Sequence, residues 1–323
     1  MTDDECLGIL EAVSPPSPPP VASAISPETK QTRIPVLNDD ILRCIIEFAV
    51  SPRSEDAFIY EPGTTQDILA LIHVSWRLLE FTRPFLYQRV HLTSKRQVDL
   101  LVKRNPPANL PIRDLTIEGS ALEHHDLWPL IRDVGGTLER FLIIDNTMGF
   151  DILGQCPYTY LEFKTRFPRL WETSNTFKYP YLFDISGVDR PVPVPVPELP
   201  HLKRQALLRL GHVHFTDCWT SLEVLATVSN SSLDASLLAV LIESHPRLRE
   251  LILVLTPERR LMLRSNNVVR AKREFAVKYR GRCVFYDVDS GLTRSSMMET
   301  WFAEAIRRGT LWTMKRKNWL SYQ

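Results

Sequence analysis

Closely spaced cysteines are missing from this chain of 323 residues: Cys6, Cys44, Cys156, Cys218 and Cys283 stand 38 or more residues apart. No CxxC pair is therefore present to grip zinc or run dithiol chemistry, and a reduced intracellular compartment, cytoplasmic or nuclear, is the expected setting. Long apolar runs are missing too. The longest, such as Leu237 to Ile242, reach six residues, far short of the ~20 a membrane helix needs. The amino terminus, Met-Thr-Asp-Asp-Glu-Cys, has no basic stretch before an apolar one, so neither secretion nor a membrane partner is expected. Nucleotide and hydrolase signatures are equally wanting. No GxxxxGK[ST], GxGxxG, HExxH or GxSxG occurs, which leaves phosphate-cradling loops, zinc hydrolysis and a serine nucleophile elbow unsupported. The chain reads as non-catalytic, with no cofactor.

Bulk charge is nearly absent, at +1, but it is unevenly spread. From Glu258 onward 15 Lys and Arg face 6 Asp and Glu, a net of +9, which leaves −8 on the preceding residues. Within that segment Arg259, Arg260, Arg270, Lys272, Arg273 and Lys278, interleaved with Phe275 and Tyr279, form a possible basic patch. Phosphates and stacked bases are the ligands such a row could take. The competing reading is a solvated helix face with the aromatics turned inward, and nucleic acid is not the expected partner.

Proline punctuates the chain. Seven of its 24 prolines precede residue 36, and Ser14 to Pro20 contains five of them, so residues 1–33 read as a disordered Pro/Ser-rich tail. Pro191, Pro193, Pro195 and Pro197 alternate with valine and predict a stiff, extended loop at about 184–198. Between these windows Asn38 offers an N-cap to a helix whose Ile41, Leu42, Ile45, Ile46 and Ala49 recur at helical spacing. A polar stretch, Ser51 to Gln66, separates it from a second apolar helix at Asp67 to Leu79 and a third at Arg77 to Arg83, ended by Pro84. Phe85 to Leu92 reads as a strand.

Beyond residue 93 strands and helices alternate. Strands are predicted at 112–117, 138–144, 213–215, 222–225 and 248–255, and helices at 94–103, 126–134 and 233–243, with the Gly135-Gly136 pair ending the second of these through a left-handed glycine. Phe167-Pro168-Arg169-Leu170, Leu199-Pro200-His201-Leu202 and His245-Pro246-Arg247-Leu248 echo one another. Leu138, Leu170, Leu202, Leu222 and Leu248 then stand 32, 32, 20 and 26 residues apart, bracketing the period of leucine-rich repeats. His124-His125-Asp126, and His212 with His214 and Asp217, bring imidazoles near carboxylates. Neither set has a further ligand at fixed spacing, and ordinary histidines with no metal are the expectation.

Leu37-Asn38-Asp39-Asp40-Ile41-Leu42, followed by Val74-Ser75 and Arg83-Pro84-Phe85-Leu86-Tyr87-Gln88-Arg89-Val90, resembles the F-box module of many fungal F-box-like proteins. Asn38 replaces that family's proline, Leu78 stands at its aromatic position, and Ser51 to Gln66 is an insertion. The resemblance implies an α+β or α/β chain: a three-helix F-box-like hook over 34–92 with an inserted loop at 51–66, then an irregular leucine-rich-repeat-like solenoid over 93–310 and a basic, aromatic tail at 311–323. It further implies a substrate-recognition subunit of a cullin-RING (SCF-type) ubiquitin ligase. The hook would bind a Skp-type adaptor, bridging to a cullin scaffold, through Ile34, Pro35, Leu37, Asp40, Ile41, Leu42, Ile45, Ile46, Val74, Leu78 and Pro84, and the repeats would bind a protein substrate that no motif identifies. The alternatives are a nucleic-acid-associated module using the basic region, a non-ligase scaffold, and an apolar helix face that merely packs on the first repeat.

Overall fold

The computed structural model describes residues 38–50, 55–104, 110–144, 167–175, 201–208, 220–229, 235–255, 278–279, 282–287 and 295–314. The Pro/Ser-rich tail, the Pro-Val run, strand 213–215, His212, His214 and residues 315–323 lie outside them.

Three helices open the described chain: α1 (Asp39–Val50), α2 (Pro62–Val74) and α3 (Trp76–Leu86). Asn38 caps α1 as expected, its side chain accepting from the Asp40 amide at 3.1 Å, and Asp39 and Asp40 occupy the electropositive first turn. Ser75 caps α3 by accepting from the Leu78 amide at 3.2 Å. Three boundaries differ from the sequence reading: the second helix stops at Val74, not Leu79, where Ser75 begins the third, and two others shift at prolines. The polar stretch becomes helical at Pro62, where a proline's missing amide costs nothing in a first turn. Helix α3 runs past Pro84, because its last turn closes through Tyr87 and Gln88 amides donating to Pro84 and Phe85 carbonyls, none of which needs a proline N–H. Ile46, Val50 and Ile68 are buried between these helices, with Leu42, Leu78 and Phe81 packed around them.

The rest is an eight-stranded sheet, all parallel and in sequence order: β1 (Arg89–Leu92), β2 (Asp114–Glu118), β3 (Arg140–Ile144), β4 (Glu172–Asn175), β5 (Arg204–Leu207), β6 (Val224–Ser229), β7 (Glu250–Leu255) and β8 (Cys283–Asp287). The chain thus mixes helices with a parallel sheet, in the α/β class. Because strand order never reverses, the sheet lacks the switch point at which doubly wound folds bind nucleotides.

The leucines that echo in the sequence mark the entry to successive strands. Ile112, Leu138, Leu170, Leu202, Leu222 and Leu248 each lie two residues before the first paired residue of a strand, and all are at most 2% exposed. Their irregular spacing is the irregularity of the loops. Together with Val90, Leu115, Ile117, Leu225, Leu251 and Leu253 they form one large core, covered by α4 (Lys95–Arg104), α5 (Leu127–Val134) and α6 (Ala235–Ser244). Helix α5 ends at Gly135 as expected, but with right-handed backbone there, φ −55°, so the left-handed termination predicted for the glycine pair does not occur.

The opposite sheet face is also covered, and by unexpected segments. Leu142, Ile144, Ala206, Ala226, Ile252 and Val254 pack against α7 (Ser295–Arg307), the short α8 (Thr310–Thr313) and Phe58. Leu311 and Trp312, read from sequence as the start of a basic tail, are 0% and 7% exposed. The inserted stretch is likewise no free loop: Phe58 is fully buried, and its amide donates to the Arg307 carbonyl at 2.8 Å.

Candidate protein-interaction site

Helix α1 is apolar on two sides. Leu42, Ile46 and Val50, spaced by four, face the other helices, while Ile41, Ile45 and Phe48 face solvent with 51%, 50% and 87% of their surface exposed. Asp39 pairs with Arg77 through Nε at 2.9 Å and through Nη2, which brings the start of α1 beside the start of α3. There Val74 and Trp76 are exposed as well, at 70% and 68%. Five of the seven large apolar side chains exposed among the described residues therefore belong to this three-helix unit, a concentration of the kind that marks interaction surfaces.

Among the residues singled out from the sequence, Asp40, Ile41, Ile45, Val74 and Pro84 are exposed. Leu42, Ile46 and Leu78 instead turn into the unit's own core: positions 42 and 46 lie one above the other on the inner side of α1, whereas position 45 is turned about 100° from 46 towards solvent. Ile34, Pro35 and Leu37 lie outside the described residues.

A second site was not foreseen. In register along the sheet, the first residues of β1 to β5 are Arg89, Asp114, Arg140, Glu172 and Arg204, alternating in sign across neighbouring strands and pointing to the face covered by α7. Asp114 receives Arg140 through Nε at 2.7 Å and Nη2 at 2.5 Å, and Arg89 Nε lies 3.2 Å from it on the other side. Arg204 Nη1 stands 3.6 Å from Glu172, whose Oε1 accepts the Trp312 indole N–H at 3.0 Å. Segment 55–60 lies on this ladder. The Ala57 carbonyl accepts from Arg89 at 2.5 Å and Arg140 at 2.7 Å, Asp56 pairs with Arg204 at 2.5 Å, and the Phe58 ring lies 4.8 Å from the Arg140 guanidinium. The indole of Trp312 stacks on Arg204 at 5.0 Å.

Asp56 brings the count to three carboxylates against three guanidinium groups, so the row is balanced as buried charge requires. It is not fully satisfied. Arg140 Nη1, Glu172 Oε2, Thr116 Oγ1, Ser174 Oγ and Arg307 Nε are all buried on this face without a hydrogen-bond partner, at a typical cost of about 1–3 kcal/mol for each such group. Burial raises the Glu172 pKa to about 7 despite the opposing charges of Arg140 and Arg204. Glu118, one rung further, behaves oppositely. Burial opposes its ionisation, yet the His91 hydrogen bond at 2.8 Å and the Arg307 charge hold its pKa below the usual value. The sequence does carry a trace of the ladder: the residues two positions after Ile112, Leu138, Leu170 and Leu202 are Asp114, Arg140, Glu172 and Arg204, charged and alternating in sign, a pattern that ends at Val224 after Leu222.

Elsewhere an open groove of about 590 Å3 at the entries of β3 to β5 is lined by Glu139, Pro168, Arg169, Trp171, His201 and Lys203. Arg113 holds Glu139 through two bonds of 3.0 and 2.7 Å. Of the basic patch, Arg259, Arg260, Arg270, Lys272 and Arg273 lie outside the described residues, and Lys278 is ion-paired to Glu243 at 2.7 Å. Arg282 donates to the Leu248 and His245 carbonyls at the end of α6. His124, His125 and Asp126 gather within 4.8 Å. Both His124 nitrogens have partners in the chain, since Nδ1 accepts from the Asp126 amide at 3.1 Å and Nε2 faces Asp99 at 3.5 Å. The two rings stack at 4.6 Å instead of converging on a point. No helix among the described residues is long and apolar enough to cross a membrane. Neither a protein-family model, nor a curated protein, nor a solved structure matches the chain.

Proposed function

We propose that the chain is a non-catalytic substrate-recognition subunit of an SCF-type ubiquitin ligase, in which α1 to α3 form an F-box-like hook for a Skp-type adaptor and the sheet with its helices forms a leucine-rich-repeat-like solenoid that selects a protein substrate. The observation that carries this reading is the doubly apolar α1. Its inner face already completes the three-helix core, so Ile41, Ile45 and Phe48 have no structural task within their own unit. This weighs against the alternative in which that face merely packs on the first repeat. The strand-entry leucines and the single sheet in sequence order support the solenoid, since successive strands stack their entry residues into one continuous core under α4 to α6. The described part of the basic segment, Lys278 and Arg282, is engaged within the chain and lends no support to a nucleic-acid module.

Co-expression with a Skp-type adaptor and a cullin tests the proposal. The wild type captures both, and Ile41→Asp with Ile45→Asp loses capture while its melting temperature stays within about 2 °C, because both side chains are half exposed. Failure of the wild type to capture any adaptor, or retention of capture by the double variant, overturns it.

A further inference from the structure

Segment 55–60 is held on the sheet as a ligand is held. Its main chain is read by two arginines, which converge on one carbonyl, that of Ala57. One of its carboxylates, Asp56, is taken by Arg204, and its ring, Phe58, is fully buried in the apolar cluster that includes Phe302 and Ile306 of α7 and Leu142 of the sheet. It joins no strand of the sheet. Gly309, at φ +71°, closes the arrangement, and the hydrogen in place of a side chain there lets the Asp56–Ala57 backbone pass beneath it.

The lining differs from what a permanent core would need. On the same sheet face Arg140 Nη1, Glu172 Oε2, Thr116 Oγ1 and Ser174 Oγ are buried without hydrogen-bond partners. Well-packed apolar residues would be at least as stable in a face that stays closed, so a polar lining with spare donors and acceptors points to a surface that also meets polar groups the chain's own segment does not supply.

We propose that this charged sheet face is a peptide-binding site that the chain fills in cis with Asp56-Ala57-Phe58, and that it accepts in trans an extended segment of a protein partner carrying a carboxylate two residues before an aromatic ring. The contacts set this specificity. Arg204 selects the carboxylate, Arg89 and Arg140 select an exposed carbonyl one residue later, and the apolar cluster between α7 and the sheet selects the ring. Spare hydrogen-bonding atoms at Thr116, Arg140 and Ser174 lie ready for flanking polar groups of the incoming chain. A tethered competitor works at an effective concentration in the millimolar range, so it masks a micromolar site by about a thousandfold. The site is thereby self-inhibited, and partner binding requires release of segment 55–60. The inference stands on the ladder and its cover alone and is independent of whether α1 docks an adaptor.

The test uses the full chain carrying Asp56→Ala and Phe58→Ala, which removes the carboxylate and the ring that anchor the segment, and a labelled hexapeptide with the sequence of residues 55–60, Glu-Asp-Ala-Phe-Ile-Tyr, followed by fluorescence polarisation. The double variant binds the peptide at micromolar concentration and a scrambled peptide at least about tenfold more weakly. Adding Arg204→Gln weakens binding about tenfold or more, the usual order for losing a charge-assisted contact. The wild type shows no binding in the same range. If the double variant does not fold by itself, it is refolded with peptide present: recovery of the far-ultraviolet spectrum and a cooperative melt with the true but not the scrambled sequence supports the site. A folded double variant that ignores the peptide, or an unfolded one that the peptide does not restore, overturns the proposal.

Discussion

Replacing Glu172 by glutamine separates a charge effect from a packing effect at the centre of the ladder. In the folded chain Glu172 is fully buried, faces Arg140, Arg204, Asp56 and Trp312, and has a pKa of about 7 against its usual 4.5. Between those two pH values the folded state holds a proton that the unfolded state has released. Stability therefore falls as pH rises through this window, and it is highest, as far as this group is concerned, below about 4.5. The gap of about 2.5 pH units at 1.36 kcal/mol each amounts to about 3 kcal/mol lost by pH 8. Glutamine mimics the neutral acid: its carbonyl can accept the Trp312 indole N–H, and its amide faces Arg204 as the protonated carboxyl does. The variant should lie within about 1 kcal/mol of the wild type at pH 5 and exceed it at pH 8 by up to ~3 kcal/mol, about 6 °C in melting temperature at roughly 2 °C per kcal/mol for a chain of this size. Thermal melts of both proteins at half-unit steps from pH 5 to 8 measure this, and taking the difference between proteins cancels groups such as Glu118 that titrate in both. Parallel curves, or a less stable variant at pH 8, would refute the burial argument and show that Arg140 and Arg204 keep the carboxylate ionised.

Other changes probe the same architecture. Gly309→Ala should destabilise by about 2–5 kcal/mol in denaturant titrations, since the new Cβ would sit 2.6 Å from the Ala57 nitrogen and 2.7 Å from the Asp56 oxygen at a left-handed φ. Arg140→Met should cost about 3–5 kcal/mol by leaving Asp114 buried with a single partner; a neutral outcome would mean that Arg89 suffices. Leu138→Ala, at a fully buried strand entry, should cost about 2–5 kcal/mol, whereas Lys278→Gln should leave the melting temperature unchanged. Truncation at residue 200 removes β5 to β8 together with α7 and α8, and the fragment should aggregate; a soluble fragment that melts cooperatively would contradict a sheet stabilised as a whole.

Local features are legible in neighbouring residues. Asn38 and Ser75 cap their helices, Pro-x-Leu marks the turn into strands, and the five echoing leucines occupy equivalent buried positions because a turn and its next residue interact over a few bonds. The strands at Glu172–Asn175 and Arg204–Leu207 escaped a reading by apolar alternation, since Glu172, Ser174, Arg204 and Gln205 are polar where a strand residue is expected to be buried. What makes them strands lies far away along the chain: Arg204 finds Asp56 across 148 positions and Glu172 finds Trp312 across 140. The same holds for the carboxy-terminal segment, whose basic, aromatic composition resembles a solvated tail until its apolar side meets the sheet. Which side of α1 is free was likewise undecided locally, because Leu42 and Ile45 are equally apolar and only the placement of α2 and α3 distinguishes them. Local hydrogen bonds and turn chemistry act over a handful of residues and are written in neighbouring letters, whereas the burial of a charge becomes stable only when its partner arrives from another part of the chain, which the tertiary structure alone decides.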